Sequence, residues 1–348
     1  MSKPTYTIAV TGLNNIDSPG AGIPVIRGLK ESEAFDVRII GLSYENLEPG
    51  IYMHSLVDKS YNIPYPTEGQ DVLLARLDYI HARENIDVLI PNFDAELFNF
   101  IKLVDKLEDI GVKTFLPSLE QFDARLKGKL NEFGDKHNIN VPKSLMAFNL
   151  EEFKTTCDQF EYPLVVKGKY YEASIAYSYE QAVTYFNKIS AKWGTPIIVQ
   201  EFIQGEEFNV TGLGDGKGQL TGAVAMRKTY ITDQGKAWAG ITIDDTDLIK
   251  MTSDLMKNTN WQGPLEIELI KDKKDKIFLI EINPRTPAWI YLAVGAGQNH
   301  PEALVLLAMD QVVEKMEKYE FGKMFIRYSM DMICDLKEFE QIATMGEL

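Results

Sequence analysis

The sequence predicts an α/β protein: a parallel sheet covered by helices on both faces, then a region in which strands dominate. Three observations carry that reading. Strand-like and helix-like runs alternate through the first third of the chain, as they do where helices cross over between parallel strands. Near Ser118 the alternation gives way to a helical stretch. From about residue 206 to 285, short apolar strands follow one another with few helices between them. The 348-residue length suffices for two or three compact lobes.

Residues 6–11 form the first expected strand. A Gly- and Asn-rich turn from Gly12 to Gly22 leads into a helix carrying Val25, Ile26 and Leu29. A second strand runs over 37–42. A third, Val88-Leu89-Ile90, ends at Pro91-Asn92, flanked by helices over 72–83 and 96–107. Ligands of such sheets gather at the carboxyl ends of the strands, which draws attention to Gly12-Leu13-Asn14-Asn15 and Asn92-Phe93-Asp94. A helix over 120–136 is expected before Asn138-Ile139-Asn140-Val141-Pro142, and strands over 164–167 and 197–200 enclose a helix over 179–189. Further strands are expected over 208–213, 222–225, 265–270 and 277–282, followed by a Gly-containing helix over 290–308. The expected lobes are 1–117, 118–205 and 206–348, with no internal repeat.

Composition narrows the function classes. The formal net charge of -15 argues against a nucleic-acid or anionic-membrane partner, since both are met with clustered Lys and Arg. It leaves room for a nucleotide, which needs only a few local cations. Cys157 and Cys334 are far apart and form no metal-spaced pair, so no disulfide framework is expected and the cytoplasm is the expected compartment. Met1-Ser2-Lys3-Pro4 does not read as a signal peptide, and no apolar run has the length of about 18 residues that a spanning helix needs. His54, His81, His137 and His300 lack zinc spacing, and neither a Gly-x-Ser-x-Gly elbow nor a Walker-type loop occurs. The 12–22 turn lacks the GxGxxG spacing of a nicotinamide site.

Two strands place carboxylates together. In Leu265-Glu266-Ile267-Glu268-Leu269 the apolar residues share one face, and Glu266 and Glu268 the other. In Phe278-Leu279-Ile280-Glu281-Ile282-Asn283, Phe278, Ile280 and Ile282 share a face opposite Glu281 and Asn283. The link Lys271-Asp272-Lys273-Lys274-Asp275 is short and polar, as in a hairpin. Pairing Glu268 with Glu281 sets Glu266 against Asn283 and apolar against apolar; a one-residue slip breaks the match. Like charges opposed across strands are destabilising, and a hard divalent cation offsets them. Asn283-Pro284-Arg285 adds an amide and a guanidinium beside the carboxylates, which suits metal plus phosphate.

In Glu281-Ile-Asn-Pro-Arg285, preceded by Gly263-Pro-Leu-Glu-Ile-Glu268, the chain resembles the ATP-grasp superfamily, in the branch of the carbamoyl-phosphate synthase large subunit and related carboxylate–amine ligases. The resemblance covers roughly residues 118–310. It implies an ATP-grasp fold, two α+β lobes clamping ATP, preceded by a Rossmann-like domain. It assigns magnesium, or manganese in its place, to Glu268, Glu281 and Asn283, and phosphate to Arg285. Tyr162-Pro-Leu-Val-Val-Lys167 resembles the strand whose terminal lysine reaches the phosphates, and Lys129 of Lys127-Gly-Lys129 resembles the earlier lysine. Ile198-Val-Gln-Glu-Phe-Ile203 resembles the hinge that receives adenine through Glu201, Phe202 and Ile203, and Glu207 the residue on the ribose hydroxyls. The role of Glu266 stays open. One departure is the flap, Gly168-Lys-Tyr-Tyr-Glu-Ala-Ser174, which holds a single Gly where relatives are Gly-rich; Lys169 or Ser174 is the candidate compensation.

The implied reaction is amide formation through an acyl phosphate, with release of ADP and phosphate. Lys129, Lys167 and Arg285 would neutralise charge, joined by Arg227 and Lys228 after the 223–226 strand, a pair that reads equally as basic surface. The implied partners are small carboxylate and amine substrates, with a homodimer as the expected assembly. An ATP-binding regulatory module and a phosphotransferase to a small acceptor are the alternative readings.

Overall fold

The computed structural model describes residues 3–16, 18–169, 172–232 and 235–348. The chain divides into two compact units, each assembled from non-consecutive stretches: one holds 1–119, 209–266 and 283–348, the other 120–208 and 267–282.

In the first unit a parallel sheet has the order Lys59–Asn62, Asp36–Ser43, Thr5–Val10, Val88–Ile90. Ile8 lies opposite both Ile39 and Val88. Ile8, Ala9 and Val10 are all fully buried, as expected of a strand covered on both faces. Helices Gly22–Lys30 and Gln70–Glu84 supply crossovers, and helix Asp94–Asp109 follows the Val88–Ile90 strand. The first can start close to the sheet because residue 22 is Gly: a Cβ there would lie 2.2 Å from the Thr11 carbonyl oxygen. The Lys59–Asn62 strand has no counterpart among the expected elements. It is short and polar, and the chain end pairs beside it, with Ser60 and Leu348 exchanging N–H···O bonds of 2.8 and 2.9 Å.

In the second unit an antiparallel sheet has the order Ser144–Ala147, Ile197–Glu201, Leu164–Gly168, Ala173–Ala176. Helices Leu150–Cys157 and Tyr179–Trp193 bury Phe153 and Phe186 against Leu164, Val166, Ile197 and Val199. Strand parity then places Lys167 on the face opposite Leu164 and Val166.

A six-stranded sheet has the order Ile277–Asn283, Gln262–Asp272, Gly205–Asp215, Leu220–Ile231, Ala237–Thr242, Met324–Ile326. Among the described residues no helix is long and apolar enough to cross a bilayer.

Two expected helices are broken. The 120–136 stretch is a short helix Leu119–Asp123, a 3-10 turn Lys127–Lys129 and a helix Leu130–His137. Leu126 between them is extended (φ -68, ψ 111). The turn packs tightly, since a Cβ on Gly128 would sit 2.7 Å from Met146 Sδ. The 290–308 stretch is likewise two helices, Tyr291–Gly295 and His300–Ala308, parted at Gly297 (φ +95), where the left-handed backbone favours glycine.

Candidate active site

The second unit gathers cations among carboxylates. Lys167 ends the Leu164–Gly168 strand with only 7% exposure. Lys127, on the 3-10 turn, reaches the Glu281 Oε2 atom at 3.4 Å. Glu281, Glu268 and Glu207 all act on Lys167. Burial pushes it down to about 8, the Lys127 ammonium adds to that, and Glu281, Glu268 and Glu207 pull it back. Burial raises the Glu281 carboxyl; Lys127 draws it down, Glu268 raises it and Lys167 lowers it. The two carboxylates therefore repel within an electrostatic set that also holds two lysines.

Strand parity brings together what it promised: Leu265, Ile267 and Leu269 are buried at 0%, 0% and 1% exposure, and Glu268 faces the other way. The second strand departs from its pattern. Leu279, on the Glu281 face, is fully buried, while Phe278 and Ile280 are half-exposed. The Leu279 N–H donates to the Asn140 carbonyl at 2.8 Å, so the 138–142 segment covers that face.

The broken helix separates the environments of the two lysines in the Lys127-Gly-Lys129 run. Lys129 points to Asp123 at 3.4 Å with 56% of its side chain exposed, whereas Lys127 is 14% exposed beside Glu281. A Lys-Gly-Lys run on an uninterrupted helix gave no reason to prefer Lys127; the extended Leu126 is what separates the two. At the hinge, Glu201 is exposed, its N–H donates to the Lys143 carbonyl at 2.8 Å, and its Oε2 accepts the Lys143 N–H at 3.2 Å. Phe202 and Ile203 are half-buried. Lys169 is exposed and Ser174 half-buried; Tyr170 and Tyr171 of the expected flap lie outside the described residues.

The first unit holds a separate polar cluster around Glu266, which is 7% exposed. It accepts from Trp289 Nε1 at 2.6 Å, Asn209 Nδ2 at 3.0 Å and Asn283 Nδ2 at 3.4 Å, and Arg285 stands 3.7 Å away. The Asn283 contact agrees with the Glu266–Asn283 pairing read from the sequence. Arg285 also pairs with Asp94 at 2.9 Å. Burial pulls Arg327 down to about 10, and Glu266 works against that. Sequence reading left Glu266 without a role because its partners Asn209 and Trp289 are distant in the chain. Arg227 and Lys228 do not follow a strand but lie inside one, Leu220–Ile231, opposite Ile241 and Gly240. Adjacent strand residues face opposite ways; Arg227 is exposed and Lys228 half-buried.

Comparison with known proteins agrees with this architecture. A family described as ATP-grasp in the biosynthetic pathway with Ter operon matches residues 194–329. The chain is 24% identical over 233 residues to the carbamoyl phosphate synthase large chain of Pyrococcus furiosus, covering 62% of this chain and 21% of that one. The large chain of Agathobacter rectalis is 26% identical over 230 residues, with 62% and 21% covered.

Residues 194–329 thus match an ATP-grasp family, and the chain is similar to carbamoyl phosphate synthase large chains.

It spans about a fifth of the length of the curated relatives it matches. Solved structures share the ATP-grasp fold. The biotin carboxylase domain of the Hydrogenobacter thermophilus 2-oxoglutarate carboxylase aligns with a TM-score of 0.70 at 15% identity, covering 93% of this chain and 74% of that one. An L-amino acid ligase from Bacillus licheniformis aligns with a TM-score of 0.64 at 15% identity, covering 90% and 75%.

Proposed function

We propose that this ATP-grasp chain is an ATP-dependent ligase that joins a small carboxylate to an amine, with release of ADP and phosphate. The observation that carries the reading is the set of Lys127 and Lys167 with Glu207, Glu268 and Glu281 in one unit. Two lysines can neutralise phosphate charge, and the Glu268 and Glu281 carboxylates suit magnesium, which takes one or two carboxylates and fills its remaining positions with phosphate oxygens and water. Among the described residues no group of three or more His, Cys, Asp or Glu could hold a metal alone, so the donor set fits an ion that arrives with its nucleotide. The sequence resemblance assigns metal to Asn283 and phosphate to Arg285 as well; both belong to the first unit. Glu201 and the backbone of Phe202 and Ile203 supply the adenine contact, and Glu207 the ribose contact.

Magnesium, or manganese in its place, would spread the charge of the transferring phosphoryl group. The chain's own cations hold the phosphates in line with the substrate carboxylate, whose oxygen attacks the terminal phosphorus as ADP leaves. The amine then attacks the acyl carbon, phosphate departs, and the amine loses a proton. The 2-oxoglutarate carboxylase domain was solved as a dimer with MgADP and bicarbonate; a homodimer belongs to the present proposal too.

The test is phosphate release over a panel of carboxylates and amines, with hydroxylamine as a trap for acyl phosphate. Hydroxamate formation is the expected result, and Glu281→Gln is expected to abolish magnesium-dependent turnover in a folded protein. ADP without hydroxamate, or full activity in folded Glu281→Gln, would overturn the reading.

A further inference from the structure

The carboxyl end of the parallel sheet carries buried acceptors with no donor. Asn92 follows the Val88–Ile90 strand and is 3% exposed. Its Nδ2 donates to the carbonyls of Thr11 and Ile90 at 3.0 and 3.1 Å, which fixes the amide orientation. Its Oδ1 is left buried and unpartnered. Glu48, in the segment after the Asp36–Ser43 strand, is 6% exposed. Its Oε1 accepts the N–H groups of Tyr44 and Glu45 at 2.7 and 3.2 Å, whereas Oε2 is buried with no partner. The two are joined through Glu96, which accepts the Asn92 N–H at 2.7 Å and the Tyr44 hydroxyl. Glu96 differs from Glu48 in that both its oxygens are engaged, the first also by Thr11 and the Phe93 N–H. A third orphan acceptor, Asn14 Oδ1, belongs to the loop after the first strand.

Beside these oxygens stands an aromatic wall. Tyr44 stacks on Tyr65 with centroids 5.8 Å apart, and Phe93 lies 6.1 Å from Tyr44. Tyr65 is 46% exposed, so the wall opens to solvent. Burial and the Glu96 and Glu45 carboxylates push Glu48 up to about 7, against the pull of its two N–H donors, so a bound cation would be needed to hold it ionised below that pH.

We propose that this cluster binds the ammonium end of an organic amine substrate, with Glu48 Oε2 and Asn92 Oδ1 accepting its N–H bonds and the Tyr44–Tyr65–Phe93 wall covering its carbon body. A ligand meeting orphan acceptors must bring donors, because a buried acceptor without one is destabilising. The acidic surroundings select a cation over a neutral amide or an anion, and aromatic faces favour cations as well. The cluster lies within the first unit, and Asp94, at the start of the helix that follows Phe93, is bonded to Arg285. The inference rests on the ligase reading for the fate of the amine, but not for its binding.

The test uses the full chain without nucleotide, titrated calorimetrically with tyramine, agmatine and cadaverine and with 3-(4-hydroxyphenyl)propionate as an anionic counterpart of tyramine. At least one amine is expected to bind and the anion is not. Glu48→Gln, which keeps an oxygen for the two N–H donors, is expected to weaken amine binding at least tenfold while ATP affinity, measured separately, stays within twofold. If Glu48→Gln does not fold, Tyr65→Leu at the exposed rim is expected to weaken amine binding several-fold. Binding of no amine, equal binding of the anion, or unchanged amine affinity in the variants would overturn the proposal. Amine binding lost in Glu48→Gln, together with no phosphate release from the wild-type chain, would sustain the amine site and reject the ligase. Phosphate release with an amine site insensitive to these variants would do the reverse.

Discussion

Lys167 is held among groups that make its charge depend on what lies beside it. Burial and Lys127 bring it down to about 8, so in the free protein it begins to lose its proton above that pH. A bound triphosphate restores the charged form. ATP binding should therefore take up a proton above about pH 8, and affinity should fall there by up to about tenfold per pH unit. Calorimetry at pH 9 in two buffers of different ionisation enthalpy measures that uptake. Lys167→Arg, which keeps its charge at every accessible pH, should abolish it; uptake persisting in that variant would assign the proton elsewhere. The neighbouring turn makes a second distinction. Lys127, beside Glu281, should contribute to ATP affinity, and Lys127→Ala is expected to weaken it by roughly tenfold, as for a hydrogen bond to a charged group. Lys129→Ala, removing a mostly exposed side chain paired with Asp123, should leave affinity within about twofold.

The Gln262–Asp272 strand shows why some of this arrangement was legible and some was not. Period-two alternation is a local property, so the buried Leu265, Ile267 and Leu269 and the opposed Glu266 and Glu268 follow from the sequence. The 3.6-residue pattern over 120–136 was equally visible, but the extended Leu126 that breaks it depends on packing against the 144–147 strand, a contact no local pattern reports. Glu266 is the same case: its partners Asn209 and Trp289 come from remote stretches. Those partners make a testable difference between two substitutions on one strand. Glu266→Leu removes the acceptor of the Trp289 and Asn209 N–H groups and one carboxylate from beside Arg285 and Arg327, and should lower stability by about 3 kcal/mol in urea unfolding. Glu266→Gln keeps an acceptor in place and should lower it by less. Equal losses would show that Glu266 acts through packing alone.

Opposing titrations set how the fold responds to acid. His300 is 4% exposed, its Nε2 lies 2.9 Å from Gln298 Oε1, and burial pulls it down to about 4. Between about pH 4 and 6.5 the unfolded chain binds the proton that the folded chain refuses, so this group's contribution is present above 6.5 and is lost as pH falls towards 4. Glu48 works the other way. Burial pushes it up to about 7, so between about 4.5 and 7 the folded chain binds the extra proton and this contribution is lost as pH rises. Burial raises Glu96 and Glu281 as well, and they share the sign of Glu48. The His300 and Glu48 shifts each amount to about 2 kcal/mol across pH 4.5 to 6.5, with opposite signs. The substitutions should separate them. Relative to wild type, His300→Gln should be more favourable at pH 4.5 than at 6.5, and Glu48→Gln should be more favourable at 6.5 than at 4.5, each by about 2 kcal/mol in urea unfolding. The two differences must run in opposite directions, because one group is neutral when the histidine has lost its proton and the other when the carboxyl has kept it. Parallel differences would mean that at least one of these side chains does not hold its proton state in the fold.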